Sequence, residues 1–274
     1  MIEITQDSFE RFVPAFRDSE SRTFEAVLPY IERYRDKAYG TIGVPADFGE
    51  DGLVEAYAYR NAAFAALPHL DLILTDNGFA VVSNSNLAPA SRERVAALRE
   101  RLRLERSDAR DLLLLALCKL PSWRGTDGCR LLRSTLLWCP MLLRRHGVAT
   151  LEGSHVGLEE YSSLLPAINH AWRRVVDIVS LELAEWLRLH QDETDGDPEY
   201  AGDMRIVLRE QCRNLMAAHI SERTVAVRAL TVQIQDFLNR NAELLPEYYS
   251  SSKYRADNFT PYQNGKNDST FFFG

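Results

Sequence analysis

Six histidines are the residues of this chain whose side chains most readily bind metals or move protons at neutral pH. They form no H-E-x-x-H pair and no other recognisable metal-binding spacing. Their positions are His69, His146, His155, His170, His190 and His219. The sequence therefore predicts no metal site, and each histidine is interpreted as a surface residue or a satisfied core residue.

Three short segments share letters with catalytic or ion-binding motifs but lack the context that those motifs need. The tripeptide Asp-Phe-Gly at 47–49 occurs without a glycine-rich phosphate loop or an H-R-D loop. The segment 153–157 lacks the G-x-S-x-G order that exposes a nucleophilic serine. The acidic run 192–199 departs from EF-hand spacing, which favours a solvated connection between helices. We therefore expect no enzymatic activity and no cofactor.

The C-terminal segment 246–274 differs from the rest of the chain in its side chains. It contains eight aromatic residues and no Val, Ile, Leu or Met. The aromatic positions are Tyr248, Tyr249, Tyr254, Phe259, Tyr262, Phe271, Phe272 and Phe273. Such a segment is too polar to form its own core, yet its rings gain from burial on another surface. We predict an extended arm that binds a partner through these rings; an arm folded back onto its own body is the alternative.

Composition limits the class of protein further. With 274 residues, of which 46% are apolar, the chain can bury a core without disulfides or metals. A net charge of -7 disfavours general nucleic-acid binding. Four cysteines without a C-x-x-C pair suit reduced thiols in a cytoplasm. No secretory signal is expected, and the longest apolar run, 112–118, is far shorter than the roughly 18 residues that span a membrane.

Helical periodicity dominates the chain and predicts a mainly α fold, a helical bundle. Apolar residues recur at steps of three and four in segments 9–16 and 24–38, and Gly40 is the expected terminator of the second segment. An alanine-rich helix is expected over 53–67. A long helix should begin just after Ser91, which is a good N-cap residue.

Segment 70–83 is the exception to this helical pattern. Two short aliphatic runs flank Asn77 and Gly78, a pair that readily supplies the positive φ angles of a tight turn. The sequence therefore predicts a short β-hairpin near 70–83, with Asn77 and Gly78 in its turn.

A weak internal repeat suggests how the bundle is organised. Residues 24–31 and 161–168 match in an aromatic residue, Leu, Pro and Ile at the same spacing. One interpretation is two related helical halves, 1–120 with the hairpin and 121–245 packed on the first, followed by the arm 246–274. The alternating run 224–230 would then be the counterpart of the hairpin. Chance similarity between short strings is the other interpretation.

The predicted long helix is unusually rich in charge. Seven arginines and five acidic residues lie between Arg92 and Asp111. One interpretation is a solvated helix face held by ion pairs between residues four apart. The other is a charged surface that contacts a neighbouring subunit.

Two parts of the chain carry a resemblance to a known group of proteins. The first is 66–95, which includes the predicted hairpin and the run Pro-Ala-Ser-Arg-Glu-Arg-Val; the second is the tail with Tyr262, Asn264, Lys266 and 271–273. Both resemble an uncharacterised family encoded beside phage structural genes in gut anaerobes. Members of that family look like head-tail connector (adaptor) proteins of tailed phages.

The resemblance implies a structural subunit without catalytic residues. Such a subunit would form a homo-oligomeric ring below the portal protein, at the neck of the virion, after assembly in the host bacterial cytoplasm. Its arm would contact the portal, an adjacent adaptor subunit, or other neck or tail proteins. DNA would pass through the ring only as cargo, and no membrane would be involved. A cytoplasmic helical interaction protein or a phage assembly factor is the alternative function.

Overall fold

The computed structural model divides the chain into two compact units, Met1–Pro166 and Ala167–Gly274. The mainly α class predicted from the sequence is confirmed. The described residues are 3–17, 21–70, 72–75, 78–81, 91–149, 156–190 and 201–260.

The first unit contains the N-terminal helices and a pair of short strands. Its α-helices are α1 Gln6–Phe12, α2 Ser21–Lys37, α3 Asp51–Ala66, α4 Arg92–Cys118, α5 Pro121–Arg124, α6 Asp127–Leu132, α7 Pro140–Arg145 and the start of α8 Leu158–Val179. Its strands are β1 Leu72–Thr75 and β2 Gly78–Val81. Single 3-10 turns follow α1 and α3, at Pro14–Phe16 and Leu67–His69.

Aromatic rings and alanines build the core of the first unit. The ring of Phe9 lies 5.8 Å from that of Phe16 and 6.1 Å from that of Tyr59, measured between ring centroids. Helix α3 packs against both α2 and α4. Its small side chains, among them the fully buried Ala58 and Ala62, allow neighbouring helices to approach closely. The predicted alanine-rich helix is therefore confirmed.

Helix α2 ends later than the sequence predicts. It passes into a π-helical turn, Ala38–Ile42, and stops at Gly43, whose φ is +76°. The amide of Val44 donates to the carbonyl of Ala38 at 3.0 Å, which closes this last turn. The prediction of Gly40 as terminator was wrong, because Gly43 is the residue that adopts the left-handed conformation of a C-terminal cap.

The two strands pair antiparallel, from Leu72 opposite Val81 to Thr75 opposite Gly78. Gly78 therefore lies in β2, as its first residue. Asn77, the other residue of the predicted turn, lies outside the described residues.

The division between the units falls at Pro166, inside α8, and not at residue 120 where the sequence suggested it. Two polar contacts, one buried and one partly buried, join 121–149 to earlier helices of the first unit. The indole of Trp123 donates to the carbonyl of Ile42 at 2.8 Å. The carboxylate of Asp111 accepts a hydrogen bond from the amide of Met141 at 2.8 Å.

The second unit contains the rest of α8, with α9 Leu181–Leu189, α10 Ala201–Ile220, α11 Thr224–Asn241, α12 Pro246–Tyr249 and α13 Ser252–Asp257. Helices α10 and α11 form an antiparallel pair joined by a short turn, with Leu215 and Leu238 in the core. The buried guanidinium of Arg209 donates to the carbonyls of Leu187 and His190, at 3.2 and 2.8 Å. It thereby satisfies carbonyls at the C-terminal end of α9, which have no partner within that helix.

Two predictions for this half of the chain meet the structure. The run 224–230, expected to mirror the hairpin, is the first two turns of α11, because packing of this helix on α10 outweighs the modest strand preference of its valines. Pro29 lies inside α2 and Pro166 inside α8, at matching places of the short repeat. A duplication that relates the two halves stays a prediction.

Candidate partner-binding surface

The groups best suited to chemistry are dispersed or buried in the described part of the chain. There, no group of three His, Cys, Asp or Glu side chains is arranged to hold a metal ion. All four cysteines are buried free thiols. Burial raises the pKa of Cys212 to about 12 and raises the pKa of Cys139 as well. These thiols are therefore protonated and weakly nucleophilic at neutral pH.

Asp111 is a fully buried carboxylate that the sequence analysis did not single out. Burial raises its pKa to about 6, while the hydrogen bond from Met141 and the charge of Arg110 oppose that rise. The contact with Met141 lies in the first turn of α7, where backbone amides have no partner within the helix. Asp111 thus caps α7 from α4, which is a structural role.

The arginines of α4 that lie near the start of α8 are paired inside the first unit. Arg103 donates to both carboxylate oxygens of Glu160, at 2.9 and 2.7 Å, and also binds Glu100. Arg106 pairs with Glu159, and its guanidinium lies 3.8 Å from the ring centroid of Phe64. On this stretch the arginines hold α4 to the beginning of α8, which leaves fewer of them for a neighbouring subunit.

The predicted arm is not extended over its first part. Residues 246–257 form α12 and α13, and α12 packs against α9. Tyr248 is only 2% exposed, so it belongs to the core of the second unit and is not a free partner-binding ring. For 246–257, the alternative of an arm folded onto its own body is therefore correct.

An ion pair and a stacked cation fix α12 in place. The carboxylate of Glu247 lies 2.7 Å from the guanidinium of Arg205, which in turn lies 3.9 Å from the ring centroid of Trp186. Burial raises the pKa of Tyr248, with smaller contributions from Asp257 and Tyr254. Segment 246–257 contains no Val, Ile, Leu or Met, so its composition alone did not indicate that part of it would be buried.

The remaining aromatic residues of the predicted arm have different positions. The ring of Tyr254 lies 4.8 Å from that of Tyr249, measured between centroids, and Tyr249 is partly exposed. Phe259 is 74% exposed. Tyr262 and 271–273 lie outside the described residues. Among the described rings of the predicted arm, Phe259 is therefore the most accessible to a partner.

A second exposed apolar surface lies on α11, and we refer to Val225, Ala229 and Val232 as the α11 stripe. These residues are four and three positions apart, so they share one helix face. Val225 is 82% exposed and Val232 is 55% exposed. Sequence reasoning missed the stripe because it assigned the first part of α11 to a strand. A helical interpretation of the same residues would have found it.

The protein is thus a mainly α, two-unit chain whose described residues include exposed apolar side chains on α11 and at Phe259. A family model described as a family of unknown function (DUF6712) matches residues 50–131, which run from the start of α3 to α6 and cover less than half of the chain. No curated protein and no solved structure matches the chain. Among the described residues, no helix combines the length and apolarity that crossing a membrane requires.

Proposed function

We propose that this protein is a head-tail connector (adaptor) subunit of a tailed phage, which forms a homo-oligomeric ring below the portal protein. The observation that supports the proposal best is the uneven distribution of exposed apolar side chains. Among the described residues, eight large apolar side chains are exposed in the second unit and three in the first, although the second unit is the smaller. A subunit that functions in an assembly needs such a surface.

The α11 stripe suits a contact with a neighbouring copy. In a closed ring each subunit uses two different faces, one toward each neighbour, so a large part of the body is buried in interfaces. Burying a valine side chain that is otherwise exposed contributes roughly 1.5 kcal/mol or more. Val225 and Val232, both mainly exposed, would supply part of that energy.

The charge of the chain fits a ring through which DNA passes as cargo. Fixed negative charge repels phosphate and prevents the duplex from binding to the wall of a lumen. The chain carries a net charge of -7. Internal pairing of Arg103 and Arg106 further reduces the number of cations that would attract DNA.

The last part of the C-terminal arm would contact the portal, an adjacent copy in the ring, or other neck or tail proteins. Its candidate anchors are Phe259, Tyr262, Phe271, Phe272 and Phe273. The protein would be assembled in the host bacterial cytoplasm and retained at the neck of the finished virion. A transient phage assembly factor would use the same surfaces but would be missing from finished particles.

Co-expression with the portal protein of the same phage, followed by native mass spectrometry and electron microscopy, tests the proposal. We expect a closed ring that contains the portal and many copies of this chain, and we expect the chain in purified virions. Recovery of monomers that never join the portal, or absence from finished particles, would contradict the connector function; the second result would favour the assembly factor.

A pair of variants links the ring to the α11 stripe. The double substitution Val225→Asp with Val232→Asp places charges on the stripe and should shift the protein from ring to monomer. Leu131→Asp is the matched control, because Leu131 lies in the first unit and is 75% exposed. Light scattering coupled to gel filtration measures the outcome. Equal loss of oligomer in both proteins would rule out a specific role for the stripe.

A further inference from the structure

A polar groove lies between α10 and α11 in the second unit. Its volume is about 300 Å³. The residues that line it are Gln211, Gln233, Asp236, Phe237, Arg240 and Asn241. Helix α10 contributes Gln211, and helix α11 contributes the other five side chains. We refer to this site as the α10–α11 groove.

The groove lies beside a hydrogen-bond acceptor that a ligand could pair with. The side-chain oxygen of Gln211 is buried and has no hydrogen-bond partner among the described residues. Rotation of the Gln211 side chain would turn this oxygen into the groove, where an N–H group of a ligand would satisfy it and remove a cost of roughly 1 to 3 kcal/mol. The amide nitrogen of Asn241 donates to the carbonyl of Phe237 at 2.7 Å, which fixes the Asn241 side chain at the groove wall.

The other lining groups restrict the ligand further. Asp236 and Arg240 contribute one negative and one positive charge, so a segment without net charge matches the lining. Phe237 is the single aromatic ring in the groove and offers a surface on which another ring can pack. The preferred ligand is therefore a neutral, extended peptide with amide side chains and an aromatic residue.

We infer that the α10–α11 groove binds the C-terminal segment 261–274 of a second copy of this chain. The segment has one lysine, Lys266, and one aspartate, Asp268, and therefore no net side-chain charge. It supplies backbone N–H groups for Gln211 and aromatic rings at 262 and 271–273 for Phe237. Its other polar side chains include Gln263, Asn264 and Asn267.

The length of the segment suits an exchange between neighbours. Fourteen residues follow Thr260, the last described residue. A fully extended chain of that length spans up to about 45 Å, which is enough to cross to an adjacent subunit of a ring. Each copy would then donate one segment and accept one, and such a head-to-tail contact closes when the rotation between subunits closes. The inference rests on the proposed ring and adds the receiving site of the arm.

Photo-crosslinking in the full chain tests the inference. A benzophenone amino acid replaces Phe272, and protein labelled with ¹⁵N is mixed with unlabelled protein before irradiation. We expect mass spectrometry to find crosslinks from position 272 to residues between 233 and 241 or near 211, in pairs that join one labelled and one unlabelled chain. Crosslinks confined to single copies, or crosslinks to other surfaces only, would overturn the inference.

A blocked groove provides the second measurement. Gln233→Trp fills the groove from an exposed position on α11 and should lower the crosslink yield at least tenfold without changing the thermal midpoint. Gln235→Trp is the matched control, because Gln235 is also exposed on α11 but does not line the groove. An unchanged yield in the Gln233→Trp protein would contradict the inference.

The same samples separate this inference from the proposed function. If the ring with the portal forms but position 272 does not crosslink to the groove of another copy, the receiving site is wrong and the connector function stands. If neither a ring nor a crosslink between copies forms, both proposals fail.

Discussion

The two units of this protein differ in the side chains that they leave at the surface. In the first unit, arginines near the surface are bonded to acidic residues of a neighbouring helix, as Arg103 is to Glu160 and Arg106 to Glu159. In the second unit, valines on α11 remain exposed, and an aromatic residue, Phe259, follows the last helix. Among the described residues, the second unit therefore leaves more apolar surface exposed than the first.

The sharpest test of this comparison lies within the C-terminal aromatic residues themselves. Tyr248→Ala removes a ring that is 2% exposed and should lower the free energy of unfolding by about 4 kcal/mol. Phe259→Ala removes a ring that is 74% exposed and should change it by less than about 0.5 kcal/mol. Urea unfolding followed by circular dichroism measures both. Similar losses in the two variants would mean that Phe259 is also part of the core.

The packing of the first unit depends on the close approach of Gly128 to the backbone of Ile42. A Cβ atom at this position would lie 2.1 Å from the carbonyl oxygen of Ile42, which also accepts the indole hydrogen bond of Trp123. Gly128→Ala should therefore destabilise the first unit by about 3 kcal/mol, because the backbone must move. Gly49→Ala is the control, since no heavy atom outside its chain neighbours lies within 4 Å of its added methyl. Equal urea midpoints for both variants would contradict the prediction.

The buried carboxylate of Asp111 should make the first unit sensitive to pH. Its pKa is raised from 3.8 to about 6, so the folded protein holds this proton more tightly than the unfolded chain does. Stability should consequently fall as pH rises from about 4 to about 6, by at most about 3 kcal/mol from this group.

Asp111→Asn removes that titration and retains an oxygen that can accept from the amide of Met141. The variant should lose the decline between pH 4 and 6 and should be more stable than the parent protein at pH 7. Unfolding free energies at four pH values in this range measure the difference. A variant whose profile runs parallel to that of the parent would show that Asp111 is not the titrating group.

The smallest expected effect concerns the ion pairs that join α4 to the start of α8. Arg103→Gln should cost about 1 kcal/mol in low salt, because the arginine is partly buried and binds Glu100 and Glu160 together. The loss should shrink in 1 M sodium chloride, where charges are screened over roughly 3 Å. A loss that does not depend on salt would mean that the aliphatic part of Arg103 matters more than its charge.

Features set by local sequence could be predicted, and features set by distant contacts could not. Ser91 was recognised as the residue that begins the long helix, and its hydroxyl accepts a hydrogen bond from the amide of Arg94 at 3.3 Å. The roles of Asp111 and Gly128 depend on Met141 and Ile42, which lie thirty or more positions away in the chain. No local pattern encodes such a contact.

The candidate partner-binding surface shows the same difference between features set by local sequence and features set by distant contacts. The C-terminal segment was recognised as unusual from its aromatic residues, yet the burial of Tyr248 depends on α9 and on the Arg205 to Glu247 ion pair. The valines of α11 suggested a strand because branched side chains favour strands, and only packing on α10 decides for the helix. Composition therefore identified the region, while tertiary contacts determined which residues within it remain available.

The four buried cysteines provide a built-in way to follow the two units separately. Cys118, Cys129 and Cys139 lie in the first unit and Cys212 in the second, and the chain has no other thiol. A small alkylating reagent can reach each of them only when the surrounding helices open. The order in which mass spectrometry detects alkylation therefore gives the order in which the units open, without any label or substitution.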